Sequence, residues 1–261
     1  MNPDALLDLA LRAGRAAAGL LLERFGDPAS GLASKTSRTD LVSDADRDAE
    51  RLIVAAIRAE RPADAIVAEE GGGGAGTAAS ALRWLVDPLD GTINYLWGIP
   101  HWAISLAVMD GAGGLVGVVL DPCRDETFTA VRGRGARLGA RPLTLAVAPP
   151  LGEALIGTGF SYRPEERARQ ARRLARVLPA VRDVRRSGSA ALDLAWVACG
   201  RLDGFYETAL APWDSAAGAI VVREAGGAVA DLEPTDGDPA GIVAGRPGLL
   251  EPLLALVLDA A

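Results

Sequence analysis

At 261 residues, 49% of them hydrophobic, the chain is long enough to bury a sizeable core as one large domain or as two packed halves. Its 27 Lys+Arg against 34 Asp+Glu leave a formal charge of -7, which argues against a general polyanion binder and leaves a local basic patch as the only nucleic-acid option. One histidine, His101, one lysine, Lys35, and two cysteines without a CxxC spacing, Cys123 and Cys199, exclude most imidazole catalysis, zinc sites and a disulfide framework, and fit a reducing cytoplasm.

The first expected element is an amphipathic helix over residues 3–25. Asp8, Arg12 and Arg15 interrupt it, so it is neither the apolar core of a signal peptide nor a membrane span. A polar loop with Lys35 and Asp40 leads to a second helix over residues 43–60, with Ser43 as N-cap and acids, Asp46 among them, in its first turn. The apolar run AIVA precedes Glu69 and Glu70. The glycine-rich residues 71–80 that follow read as a mobile surface loop, because so many glycines cost much entropy to order.

From residue 82 to about 147, the runs LRWLV, AISLAVM, LVGVVL, TFTAV and PLTLAV alternate with turns and predict an antiparallel sheet. Pro149 and Pro150 mark a boundary between an N-terminal half, 1–148, and a C-terminal half, 149–261. In the latter, ALIGT, DGFYE, AVADL and GIVAG alternate with helices from about Pro164, Ser189, Pro212 and Pro247. The class is therefore α+β, an antiparallel N-terminal sheet plus a smaller mixed α/β half. The arginine-rich residues 163–186 read as a solvated helix face with Leu174 and Val177 turned inward, and are also where a nucleic-acid or partner surface would lie.

Acids stand where apolar elements end or begin. Asp46 opens a helix, Glu69 and Glu70 follow AIVA, Asp87 and Asp90 follow WLV, and Asp214 precedes SAAGAIVV. Each alone has a capping or dipole explanation. Gathered together they would repel by several kcal/mol, so something positive must sit among them, and with these donors a hard, oxygen-liganded cation such as Mg2+ is favoured. Pro88 fixes a turn that aims Asp87 and Asp90 at a common point and leaves the Leu89 carbonyl unpaired as a further oxygen ligand. Gly91 and Thr92 then open a helical turn whose free N–H groups would face a phosphate, and the Thr92 hydroxyl either polarises a water or simply caps the turn. There is no Walker A pattern, no dinucleotide fingerprint and no GxSxG elbow with a histidine partner.

WLVDPLDGTIN and WDSAAGAIVVREAGG resemble the two signatures of the inositol monophosphatase family. KTSRTDLVSDAD, AEEG and RSGSAALDLAWVACGRLDGFYE support the likeness in family order over nearly the whole chain. The resemblance implies a cytoplasmic, Mg2+-dependent, Li+-sensitive phosphomonoesterase with a layered αβαβα fold, usually a homodimer. Glu69, Asp87 and the Leu89 carbonyl would hold a first metal, Asp87, Asp90 and Asp214 a second, and Glu69 would help with a third. Asp46 and Thr92 match the pair that orients the attacking water, and Glu70 a neighbouring acid. Gly91 and Thr92 would bind phosphate, while Ala190, Glu207 and Asp214 match positions lining the sugar-alcohol pocket. Lys35 falls on a mobile loop that closes over the metals. Trp97 departs from the family pattern and either reshapes the substrate mouth or, as is more usual for a bulky aromatic beside a short helix, packs; His101 is expected to be structural.

The implied substrate is inositol-1-phosphate or a similar polyol or sugar phosphate. Histidinol phosphate, 3'-phosphoadenosine 5'-phosphate, fructose 1,6-bisphosphate and NADP are alternatives within the same chemistry. Competing readings of another class are a partner protein in transcription or RNA processing, served by the arginine helix, and a cation-binding structural protein.

Overall fold

The computed structural model describes residues 2–26, 33–34, 41–234 and 239–258. Helix α1 (Pro3–Arg24) starts where the Asn2 side chain accepts the Asp4 N–H at 3.0 Å, and buries Leu6, Leu9, Ala13, Ala17 and Leu21 at helical spacing. A two-residue pair, β1 (Ala33–Ser34) and β2 (Leu41–Val42), leads to α2 (Asp44–Glu60), capped by Ser43.

Next come β3 (Ala65–Ala68), β4 (Arg83–Asp90), the short α3 (Thr92–Leu96), β5 (Ala103–Asp110), β6 (Gly113–Asp121), β7 (Glu126–Val131), β8 (Ala136–Leu138) and β9 (Arg141–Leu143). These strands form one seven-stranded sheet in chain order, antiparallel throughout except for the parallel β3–β4 pair. The remaining elements are β10 (Leu155–Thr158), α4 (Pro164–Val177), β11 (Asp183–Arg185), α5 (Ala190–Cys199), β12 (Gly204–Thr208), α6 (Pro212–Glu224), β13 (Ala228–Leu232), β14 (Gly241–Gly245) and α7 (Leu250–Leu258). Their strands make a mixed five-stranded sheet ordered β11-β10-β12-β14-β13.

The alternation of side chains along each strand stacks these parts into five layers. Trp84 and Val86 of β4, with Ile104 and Leu106 of β5, face α1 and α2, whereas Leu85, Ala103 and Ala107 face α5 and α6. The other side of that helical layer meets Phe205, Ile242 and Ala244 of the smaller sheet, whose far face is covered by Val177 of α4 and Leu253 and Val257 of α7. The order is thus αβαβα. Among the described residues, no helix is long and apolar enough to cross a membrane.

Glycine sets the tightness of the middle layer. A Cβ on Gly117 of β6 would lie 2.7 Å from the Ala217 carbonyl, and one on Gly218 would lie 2.5 Å from the Leu194 side chain. Helix α6 can therefore approach both β6 and α5 at backbone contact.

Three expectations are corrected. Residues 71–80 are no loose loop: Gly74 and Ile66 exchange backbone hydrogen bonds of 2.8 and 3.0 Å, and a Cβ on Gly73 would meet the Ile66 carbonyl at 2.4 Å. The missing side chains let this segment lie flat along β3. The arginine-rich run is not one helix; α4 ends at Val177, followed by a 3-10 turn at Leu178–Ala180 and β11. Within it Val177 is buried and Leu174 half-buried, but buried Gln170 was not foreseen. The run PLTLAV is strand only through Leu143.

Candidate active site

Strand β4 delivers its acids through an irregularity. Pairing with β5 shifts register between Asp87 and Asp90, and the Leu89 N–H donates to Asp87 Oδ1 at 3.0 Å across the turn. Gly91 follows at φ 96°, with a would-be Cβ 3.1 Å from the His101 carbonyl and 3.2 Å from the Gly188 carbonyl, so both conformation and space demand glycine. α3 starts directly after it.

The Thr92 hydroxyl lies 3.1 Å from Asp46 Oδ1 and 3.1 Å from the Leu89 carbonyl, so one hydroxyl proton faces two acceptors. The Leu89 carbonyl is therefore not unpaired, as the sequence reading had it; it shares the Thr92 hydroxyl and keeps a second lone pair. Asp46, only 1% exposed, accepts the Ser43 N–H at 2.9 Å and also the Ser43 hydroxyl. Its capping role and its link to Thr92 are both present, one oxygen for each.

Asp90 reaches the other half of the chain. Its Oδ2 accepts the Ser189 hydroxyl at 2.5 Å and the Ala191 N–H at 2.7 Å, which ties β4 to the start of α5. Asp214, in the first turn of α6, accepts the Ala211 N–H at 2.7 Å. Glu207 of β12 lies beneath Gly159; a Cβ there would sit 2.0 Å from its carboxylate. Asn94 donates to the carbonyls of His101 at 2.7 Å and Ser187 at 2.9 Å, fixing α3 against the loop before α5.

These segments enclose a cavity of about 620 Å³. Glu69, Asp87, Leu89, Asp90, Gly91, Thr92, Ala190, Glu207 and Asp214 all line it. Asp46 stands behind Thr92, Glu70 is not among the lining residues, and Lys35 and Asp40 lie outside the described residues. Arg163 and Arg186 line its outer part.

Burial and neighbouring charges push Asp87, Asp90 and Glu207 toward neutrality. Burial first, then the charges of Glu69, Asp90 and Asp214 and a hydrogen bond with Glu69, hold the Asp87 carboxyl well above the usual carboxylate range. Asp90 is pushed up to about 6, chiefly by burial, despite its bonds to Ser189 and α5. Burial also raises Glu207 well above its ordinary value, with Asp193, Asp214 and Asp90 adding to the shift and Arg186 opposing it. Asp193, on the inner side of α5, is driven to about 8 by burial.

The donors fit a hard divalent cation: they are carboxylates and a carbonyl, with no thiol or imidazole among the lining residues. A cation would reverse the penalty that favours the protonated forms of Asp87 and Asp90. Among the described residues, no three such side chains already close on one point, because Asp87 bonds Glu69, Asp90 bonds α5 and Asp214 bonds its own helix start.

Sequence reasoning missed Ser189, Glu50 and Asp193 as parts of this region. The one available signal was an acid on a helix stripe that is otherwise apolar, as at Glu50 beside Ala49 and Ile53. Trp97 does not pack as expected: it is 65% exposed. His101 does, being buried with its ring edge-on to Trp196 at 5.0 Å.

A model described as the inositol monophosphatase family matches residues 2–260. The chain is 40% identical over 264 residues to the Nus factor SuhB of Escherichia coli, covering 99% of this chain and 97% of that protein. It is 43% identical over 251 residues to the inositol-1-monophosphatase SuhB of Mycobacterium tuberculosis, covering 93% and 86%. The solved structure of inositol monophosphatase from Anabaena (Nostoc) superposes with a TM-score of 0.84 at 32% identity, covering 100% of this chain and 98% of that one. Similarity of this extent, in sequence and fold alike, makes the chain a member of the inositol monophosphatase family and a phosphatase.

Proposed function

We propose that this phosphatase hydrolyses the phosphomonoester of a polyol or sugar, with inositol-1-phosphate as reference substrate, using Mg2+ held by Glu69, Asp87, the Leu89 carbonyl, Asp90 and Asp214. The observation that carries the reading is the convergence of four acids, from the end of β3, from β4 and from α6, on one cavity wall, where burial and neighbouring charges act against the ionised forms of Asp87 and Asp90 unless a counter-charge is present. The family is in general Mg2+-dependent; two or three ions per site is our finer reading. When bound, Mg2+ lowers the pKa of water and offsets charge on the phosphoryl and leaving oxygens.

The chain's own groups do the rest. With its hydroxyl proton given to Asp46 rather than to the Leu89 carbonyl, Thr92 accepts a hydrogen bond from the attacking water, so water is oriented and its proton has a buried carboxylate to follow. Gly91 and the first amides of α3 face the phosphate. Glu207 and Asp214 accept polyol hydroxyls, Ala190 keeps that wall small, and Arg186 favours the ionised form of Glu207. Glu70 assists from behind Glu69. We further read the chain as a cytoplasmic homodimer. Its two cysteines are free thiols, and Trp97 and Ile99 form an exposed apolar pair.

The test is the initial rate of phosphate release from inositol-1-phosphate, histidinol phosphate, 3'-phosphoadenosine 5'-phosphate, fructose 1,6-bisphosphate and NADP, with and without Mg2+, adding Li+ to the best substrate. Release that requires Mg2+, falls with Li+ and is fastest on a polyol phosphate is expected. Equal rates in chelator would overturn the reading. A second reading, a partner in transcription, draws on the Nus factor relative and on exposed Arg163, Arg167 and Arg172 of the α4 region. It requires salt-sensitive RNA or protein binding that persists without Mg2+.

A further inference from the structure

Glu50 has no part in the mechanism above, yet it occupies a costly position. It lies one helical turn after Asp46 on the inner face of α2, on the stripe that continues through Ile53 and Ile57, and is 2% exposed. A buried carboxylate is tolerated only when well bonded. Its partners include two backbone amides: Oε2 accepts the Glu70 N–H at 2.6 Å and Oε1 accepts the Gly72 N–H at 2.6 Å. The turn gripped in this way carries Glu69 out of β3, where the Glu69 N–H donates to the Val86 carbonyl at 3.2 Å. One face of α2 thus fixes two walls of the cavity. Asp46 holds Thr92, and Glu50 holds the turn that bears Glu69.

We propose that Glu50 is a positioning residue for the Mg2+ site, setting the turn at residues 69–72 so that Glu69 meets Asp87. This rests on the reading that Glu69 and Asp87 hold Mg2+. Two charge-assisted bonds from one carboxylate fix direction as well as distance. Glutamine cannot replace them, since its NH2 would face one of the two amide donors. Gly72 belongs to the same device: a Cβ there would lie 2.6 Å from Glu50 Oε1, although the residue is exposed and its φ is not positive. Gly72→Ala therefore disturbs the contact from the solvent side without opening the core.

The experiment measures Mg2+ uptake by calorimetry without substrate, together with metal-free melting temperature, for the wild type, Glu50→Gln, Gly72→Ala and the double variant. Mg2+ activation of phosphate release from inositol-1-phosphate is followed in parallel. Groups that orient metal ligands typically change affinity by about 10–100-fold. The Mg2+ dissociation constant is expected to rise about tenfold or more in each single variant and less than multiplicatively in the double. The rate at saturating Mg2+ should fall by a much smaller factor. A lower melting temperature with unchanged Mg2+ affinity would assign Glu50 to stability alone and overturn the proposal; if Glu50→Gln does not fold, Gly72→Ala decides it. A wild type that takes up no Mg2+ removes both this inference and the reading beneath it. Normal wild-type uptake with unaltered variants removes this inference alone.

Discussion

Asp87 concentrates the electrostatic problem of the cavity. It is 2% exposed, and burial together with Glu69, Asp90 and Asp214 favours its neutral form, so its ionised form is useful only against a cation. Asp87→Asn keeps the shape and removes the charge. Turnover of inositol-1-phosphate should fall at least a hundredfold, about 2.7 kcal/mol of barrier, while the metal-free melting temperature stays level or rises because a repelling group is gone. Retained turnover in a steady-state assay would count against the metal reading. His101 titrates in the opposite setting. Burial first, then the charge of Arg124, lowers it from its ordinary value near 6.5 to about 4. Folding therefore favours the neutral ring. That contribution is complete above about pH 6.5 and is lost as pH falls toward 4, because the unfolded chain takes up the proton first. Since the raised carboxyls shift stability the other way, the comparison is made between wild type and His101→Gln. The wild type should lose more melting temperature than the variant between pH 7 and pH 4.5; equal losses would refute the assignment. Asp87 and Asp90 were legible in the sequence because they follow an apolar run, and Asp46 and Asp214 because they open helices; each alone has a capping or dipole explanation, and their number is the signal. Ser189 was not, since its partner lies 99 residues away, and Glu50 showed only as an acid on an apolar helix stripe, with no sign of the amides 20 and 22 residues on.

At the scale of elements, α5 and α6 carry the consequences of close packing. α6 buries a continuous run from Ala217 to Val222, as a helix with sheets on both sides must. Its Gly218 meets Leu194 with no room for a methyl group, so Gly218→Ala forces the two helices apart. Overpacking of this kind costs about 1–3 kcal/mol, or roughly 2–4 °C for each kcal/mol. Because α5 holds Asp90 through Ser189 and Ala191, and α6 carries Asp214, activity should fall beyond what the loss of folded protein explains. Gly19 is the contrast. It is exposed on α1 with nothing within 4 Å of a would-be Cβ, so Gly19→Ala should raise the melting temperature, by up to about 1 kcal/mol of stability. Scanning calorimetry showing both variants shifted alike would sink the packing argument. The long strands were readable as apolar runs bounded by turns. β11 was not, because a three-residue edge strand with exposed Asp183 and Arg185 inside an arginine-rich stretch offers no such run. The glycine run misled for a related reason: its backbone is ordered by β3, through contacts that composition does not encode.

Across the whole molecule, the site lies where the layers join, and no single segment owns it. The turn after β3 supplies Glu69, β4 supplies Asp87 and Asp90 from the larger sheet, β12 supplies Glu207 from the smaller, and α6 brings Asp214 from the layer between. The α+β class could be anticipated from the order of strand and helix patterns and the layering from the family resemblance, but the fit between layers depends on small residues whose meaning appears only in contact. One surface feature remains unabsorbed by this architecture. Trp97 and Ile99, 65% and 47% exposed, flank Gly98 at φ 69°, and the turn is pinned by the Ile99 N–H donating to the Asn94 carbonyl at 2.8 Å. A pinned turn cannot fold its apolar side chains inward, so they gain burial only against another surface. In a two-fold dimer each large side chain buried contributes roughly 2–3 kcal/mol and is counted twice. Light scattering should then give about twice the 26.9 kDa chain mass for the wild type at micromolar concentration. Trp97→Glu should shift the mass toward that of one chain with its circular dichroism intact, whereas a wild type that stays monomeric as concentration rises would rule the dimer out.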